Sequence, residues 1–225
     1  MKLRANPIGK MEEIIVRPFK TQDRQDVRDI AWQTAFVGNS GTAYFSDPEI
    51  MSDFLTRYFT DIEPQSSFVA EANNKVVGYI IGAVNADAMN RVLQAKIAPA
   101  LFLKALVRGV FLRRKNLIFL GKVLMSFLKG EFRMPDHFKE YPAVLHINIK
   151  EGYRHSGTGA RLMEAYLSYL RQNKVPGVCL ATMSEDARLF FQREGFVLIH
   201  QGKRSYFEYL LKRDLSIYIF AKKLM

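Results

Sequence analysis

Cysteine occurs once in the 225 residues, at Cys179. That excludes an internal disulfide framework and fits a reducing, cytoplasmic setting. No stretch of eighteen or more apolar residues lacks charge, so no membrane span is expected. The opening residues, MKLRANPIGKMEE, are positive but no apolar run follows, so they do not read as a secretory signal. Met11 is a candidate start, with residues 1–10 as a loose tail and 11–225 as a single domain. The four histidines, His137, His146, His155 and His200, are dispersed, and no C-x-x-C occurs, so no metal site is expected. Nothing resembles a Ser-His-Asp or Cys-His nucleophile set.

Acid is missing locally. From Ala88 to Gly130 there is no Asp or Glu, yet the stretch holds nine Lys and Arg residues of a chain whose net charge is +11. The remainder therefore carries about +2, by subtraction (11 − 9). Lys104, Arg108, Lys115, Lys122 and Lys129 recur at helical spacing as one basic stripe beside Leu103, Leu106, Val110, Leu117, Leu120, Leu124 and Phe127. The plain expectation for 88–133 is one or two helices, broken near Pro99 and Gly109. They would form a lid that packs over a sheet and shows its stripe to water. An apolar face for homodimer formation or a membrane-surface contact are the alternatives. Nucleic acid is disfavoured, because the aromatics lie on the apolar side and not among the charges.

What remains is rich enough to fold: 48% hydrophobic and 12% aromatic. Strands are expected at 13–19, 143–150, 177–183, 196–203 and 215–224, with a hairpin over 67–84 turning at Asn73–Asn74. Helices are expected at 21–36, from Pro48 to about Thr60, from Gly157 to Gln172, and from Ser184 to about Glu194. Strand 143–150, helix 157–172 and strand 177–183 make a βαβ unit with parallel strands, while the hairpins make the rest antiparallel. The result is a mixed α/β layer whose ligand would sit at the C-terminal end of the parallel pair.

The stretch YRHSGTGARLM, 153–163, joins that strand to that helix. Amides at a helix start lack intrahelical partners and the dipole adds positive charge, so an anion fits there. Gly157 and Gly159 would let a pyrophosphate approach the backbone; Arg154 would add charge, and Ser156 or Thr158 a hydroxyl. His155 lies in the same turn, facing phosphate or solvent. The P-loop lysine is absent, and so is the third glycine of the Rossmann loop. A plain helix N-terminus remains the other reading of the loop alone.

Arg154-x-x-Gly157-x-Gly159 resembles the coenzyme A motif of the GCN5-related N-acetyltransferase (GNAT) superfamily, and Ala187-Arg188-Leu189-Phe190-Phe191-Gln192-Arg193-Glu194-Gly195-Phe196 resembles its A-x-x-[FL]-Y-x-x-x-G-F. The blocks EPQSSFVAE, VVGYIIGA and YPAVLHINI look most like the acetyltransferase-like domains related to protein O-GlcNAcases. The resemblance implies a mostly antiparallel sheet with a splayed parallel pair and acetyl-CoA as cofactor. Amides of Gly157, Thr158, Gly159 and Ala160 would hold the pyrophosphate. The main chain at Ile147 and Ile149 would pair with the pantetheine arm, with Ser184 nearby. The implied reaction is direct acetyl transfer to a small-molecule or peptide amine, or else the fold serves as a non-catalytic binding module. Phe191 stands where the family usually has a proton-donating Tyr, and reads as a packing aromatic beside the pantetheine. By strand parity Leu145, Ile147 and Ile149 face the helices, while His146 and Asn148 face the acceptor. His146 is the preferred general base; Asn148 cannot be one. His137, Glu140 and Tyr141 are reserves. The basic insertion, entering just before the acceptor-facing strand, is expected to shape acceptor choice.

Overall fold

The computed structural model describes residues 13–225; the candidate start at Met11 and the tail 1–10 lie outside them. Among these described residues, seven strands form one sheet: β1 (Ile15–Pro18), β2 (Phe68–Ala72), β3 (Lys75–Ala83), β4 (Ala143–Ile149), β5 (Gly177–Thr182), β6 (Val197–Arg204) and β7 (Leu215–Lys223). Their order is β1-β2-β3-β4-β5-β7-β6. Every neighbouring pair is antiparallel except β4 and β5. The β2–β3 turn uses Asn73 and Asn74 at φ 50° and 60°, a conformation that asparagine tolerates.

One face of the sheet is covered by α6 (Thr158–Gln172). Its Leu162, Met163, Tyr166, Leu167 and Leu170 recur at helical spacing, and all are buried against Ile80, Leu145, Val178 and Phe220. The other face receives α1 (Arg24–Thr34), whose Val27, Ile30 and Ala31 pack on Val69, Tyr79 and Ile81. Against α1 lies α2 (Pro48–Asp61), started by Asp47, which accepts from the amides of Glu49 and Ile50. The short α7 (Glu185–Arg193) is started the same way by Ser184, and α8 (Glu208–Leu211), which sequence reasoning did not anticipate, lies between β6 and β7.

Between β3 and β4 stand α3 (Ala86–Val92), α4 (Ala98–Val107) and α5 (Arg114–Leu128). The expected break at Pro99 is absent. A π-turn over Leu93–Ile97 carries α3 into α4, with the Ala98 amide reaching back to Leu93. Pro99 then falls in the first turn of α4, where a missing N–H is cheap. The other expected break, at Gly109, is present, at φ 63°.

That break also dissolves the single basic stripe. Lys104 and Arg108 reach back to acids of α2 while staying partly exposed. Lys104 pairs with Asp53 at 2.8 Å and Arg108 with Asp47 at 2.7 Å, so α4 is clamped to α2. Nor is α5 a lid laid over the sheet with its apolar side down. Its buried positions include Asn116 and Ser126. Asn116 Oδ1 accepts from the Ser46 amide at 2.9 Å, and its Nδ2 donates to the Val110 carbonyl. Ser126 donates to Glu131, which also accepts from the Ser205 amide. Phe119 supplies the aromatic anchor, stacked on Phe207 at 5.8 Å. Meanwhile Leu117, Leu124, Met125, Phe127 and Leu128 are all exposed.

Candidate active site at the splayed strands

The parallel pair β4–β5 is short. Only Ala143 with Val178 and Val144 with Cys179 are in register, after which the strands part. Residues 145–149 of β4 continue along β3, and 180–182 of β5 continue along β7, with no pairing between them. Tyr166 of α6 marks the parting point: its hydroxyl donates to the Val144 carbonyl at 2.8 Å. The notch so formed has unpaired strand edges, which can accept an extended ligand as an added strand. Two open hollows of about 470 and 420 Å3, lined by Arg17 and Glu71 and by Arg24 and Trp32, lie away from this notch.

At the notch's mouth begins α6. Gly157 precedes it at φ 77°, and a Cβ built there would meet nothing within 4 Å. This position needs glycine for its backbone and leaves open space beside it. The first intrahelical bond runs from the Arg161 amide to the Gly157 carbonyl. The amides of Thr158, Gly159 and Ala160 come before it and have no intrahelical acceptor. No acid lies in that first turn. Gly159 differs from expectation. Its Cβ would sit 3.2 Å from Phe190 and 3.4 Å from Ile149, so this glycine lets α7 and β4 approach α6 closely. Arg154 is also differently engaged: Nε donates to the Ile149 carbonyl at 3.1 Å and Nη2 to Gly38 at 3.0 Å. Its charge fixes the end of β4 and the loop after α1. Ser156 shares a 2.7 Å bond with Thr158, itself buried, while His155 is exposed at φ 61°.

His146 and Asn148 lie on the α1 face of the sheet, opposite Leu145, Ile147 and Ile149. Tyr79 of β3 joins them. Its hydroxyl stands 3.2 Å from His146 Nδ1 and accepts from Asn148 Nδ2 at 2.9 Å; Asn148 Nδ2 is also 3.3 Å from His146 Nε2. Burial lowers the His146 pKa to about 4, so the ring is neutral at pH 7. The same burial pushes the Tyr79 hydroxyl well above its ordinary value. Sequence reasoning missed Tyr79. The available signal was one polar atom in VVGYIIGA, a run buried on both faces. Of the reserve groups, Glu140 pairs with Lys223 and Tyr141 is next to the closed, paired end of β4. His137 is tied to the Pro135 carbonyl at 2.8 Å.

The family model for acetyltransferases of the GNAT type matches residues 24–196. The chain belongs to the acetyltransferase (GNAT) family. No curated protein sequence matches it. Solved structures share the fold. SsHAT is 22% identical with TM-score 0.67, covering 94% of this chain and 98% of that one. The Drosophila melanogaster polyamine N-acetyltransferase is 16% identical with TM-score 0.61, covering 94% and 100%. YncA, a putative acetyltransferase of Salmonella typhimurium solved with acetyl-CoA, is 12% identical with TM-score 0.54, covering 94% of each.

As a GNAT enzyme the chain uses acetyl-CoA, and its residues fit that cofactor. The strand edges are unpaired where an extended arm would lie, and space and unbonded amides meet at Gly157–Ala160. Phe191, at the position usually held by the GNAT tyrosine, is buried among Phe190, Phe196 and Phe220, with ring centroids 5.2 to 6.1 Å apart. It is a core residue and brings no proton. Ser184 accepts from the Ala187 amide at 3.3 Å, which leaves its hydroxyl proton available. Among the described residues no helix is long and apolar enough to cross a membrane.

Proposed function

We propose that this GNAT protein is an N-acetyltransferase that moves the acetyl group of acetyl-CoA directly to an amine of a small molecule or peptide. It is a single acetyltransferase-like domain over 11–225 in a reducing, cytoplasmic setting. The observation that carries the reading is the splayed β4–β5 notch, with a helix start of unbonded amides at its mouth and a polar trio on the α1 face of β4. The backbone of Ile147 and Ile149 and the hydroxyl of Ser184 would hold the pantetheine. The amides of Thr158, Gly159 and Ala160 would hold the pyrophosphate, with Gly157 leaving room. When bound, acetyl-CoA supplies an activated acyl group and a thiol of pKa ~8.5 as leaving group.

The polar trio decides how the amine is handled. Passing a proton from an ammonium of pKa ~10 to a ring of pKa about 4 is uphill by about 8 kcal/mol. Letting the amine enter already neutral at pH 7 costs about 4 kcal/mol. The second route is cheaper, so His146 and Asn148 orient a neutral amine by hydrogen bonds instead of His146 serving as general base. Asn148 has no charge to hold an ammonium, which agrees with this. A place among the acetyltransferase-like domains related to protein O-GlcNAcases rests on sequence blocks, and the Tyr79–His146–Asn148 trio would be this chain's own version of that acceptor face.

The test is to incubate the protein with acetyl-CoA and a panel of amines, including agmatine and a free peptide N-terminus, and to follow thiol release. The expected result is amine-dependent release whose kcat/KM rises with pH toward the amine's own pKa. Saturable CoA binding with no thiol release from any amine would favour the binding-module alternative, which the buried Phe191 keeps open.

A further inference from the structure

The outward side of α5 is a feature that acetyl transfer does not use. Its polar residues Asn116 and Ser126 point into the protein, and Leu117, Leu124 and Leu128 point out, at 50%, 58% and 70% exposure. The pattern extends upstream through Leu112 at the turn, 88% exposed, and Val107 at the end of α4, 82% exposed. Soluble surfaces rarely leave so many large apolar side chains together without a partner. The helix is not turned this way by lack of polar residues, since its cations Arg114, Lys115 and Lys122 are exposed beside the apolar side chains.

The charges identify the partner. Lys104 and Arg108 are neutralised by Asp47, Glu49 and Asp53. Arg91, Lys96, Arg114 and Lys122 have no acidic partner among the described residues and are exposed. The first acid after α5, Glu131, is turned inward by Ser126 and Ser205. A second copy on this face would set cation against cation, with no acid from 88 to 130 to offset them. An anionic lipid surface offers what the face lacks: acyl chains for Leu117, Leu124 and Leu128, and headgroup charge for Arg114 and Lys122. A helix of 15 residues is about 22 Å long, too short to span a bilayer but suited to lie in its interface.

We propose that the outward face of α5, with the α4–α5 turn, docks this acetyltransferase on anionic membrane surfaces. The test is flotation of the full chain with phosphatidylcholine vesicles and with vesicles of mixed phosphatidylcholine and phosphatidylglycerol. The expected result is binding to the anionic vesicles, weaker binding to the neutral ones, and loss on adding salt. Arg114→Gln and Lys122→Gln should each lower the vesicle affinity about fivefold. Leu117→Asn, Leu124→Asn and Leu128→Asn combined should abolish binding while the melting temperature and CoA affinity stay those of the parent. Absence of binding to anionic vesicles at low salt overturns the proposal. So does a dimer in analytical ultracentrifugation that the triple asparagine variant makes monomeric with no vesicle binding, which would assign the face to a second copy. A triple variant that loses its fold would likewise show that the face belongs to the core.

Discussion

Helices α5 and α6 are each 15 residues long and each amphipathic, yet they are mounted opposite ways round. α6 turns Leu162, Tyr166 and Leu170 to the sheet and shows Arg161, Glu164 and Arg171 to water. α5 turns Asn116, Phe119 and Ser126 to the protein and shows Leu117, Leu124 and Leu128 to water. Periodicity reports which residues share a face. It does not report which face turns inward. That is decided by what the helix meets. α6 meets the apolar surface of β3, β4 and β5. α5 meets the loop at Ser46 and the end of β6 at Ser205, both of which present backbone amides and hydroxyls that need partners.

The contrast can be broken most sharply by paired truncations. Leu167→Ala in α6 should cost about 2–5 kcal/mol of unfolding free energy, whereas Leu124→Ala in α5 should change it by no more than about 0.5 kcal/mol. Denaturant titration of both variants checks this, and similar losses would show that α5 is buried after all.

The next effect compares a half-buried polar group on the sheet with a fully buried one in the insertion. His146 has a folded pKa of about 4 against an ordinary 6.5. The unfolded chain therefore takes up a proton that the native ring refuses, and stability falls as pH drops from about 6.5 towards 4. The loss attributable to His146 should reach about 1–3 kcal/mol, and His146→Gln should remove it from the pH profile. In the insertion, Asn116→Leu should cost about 1–3 kcal/mol at every pH, despite raising hydrophobicity. It strips partners from the Ser46 amide and the Val110 carbonyl.

Two glycine substitutions give the smallest effects, with opposite signs. Gly157→Ala should cost about 1 kcal/mol, because φ 77° is a conformation that L side chains rarely adopt. Gly121→Ala in mid-α5, where a Cβ meets nothing within 4 Å, should add about 0.5–1 kcal/mol. Thermal unfolding of both variants reads the difference.

Much of this architecture was legible in the residues. The apolar spacing of α6, the Asn73–Asn74 turn and the βαβ grammar around Gly157 lead to a mixed sheet with one parallel pair, as is seen, and β4 parity puts His146 and Asn148 together on the face opposite Leu145, Ile147 and Ile149. The remainder depended on distant partners. Nothing near Lys104 or Arg108 announces that Asp53 and Asp47, some fifty to sixty residues earlier, will take their charge. Nothing near His146 announces Tyr79, 67 residues away, or the burial that drops its pKa. Gly159 reads as room for a phosphate until Phe190 is found beside it. The turn at Pro99 fails for a subtler reason, since a π-turn absorbs the missing amide without ending the helix.

The comparison of the two regions comes down to one claim: the β4–β5 notch and the start of α6 take coenzyme A, and α5 has no part in it. Amide hydrogen exchange with and without CoA tests this directly. New protection is expected at 145–149, at 158–160 and around Ser184, with exchange over 114–128 unchanged. Protection concentrated in 114–128, with none at the start of α6, would contradict it.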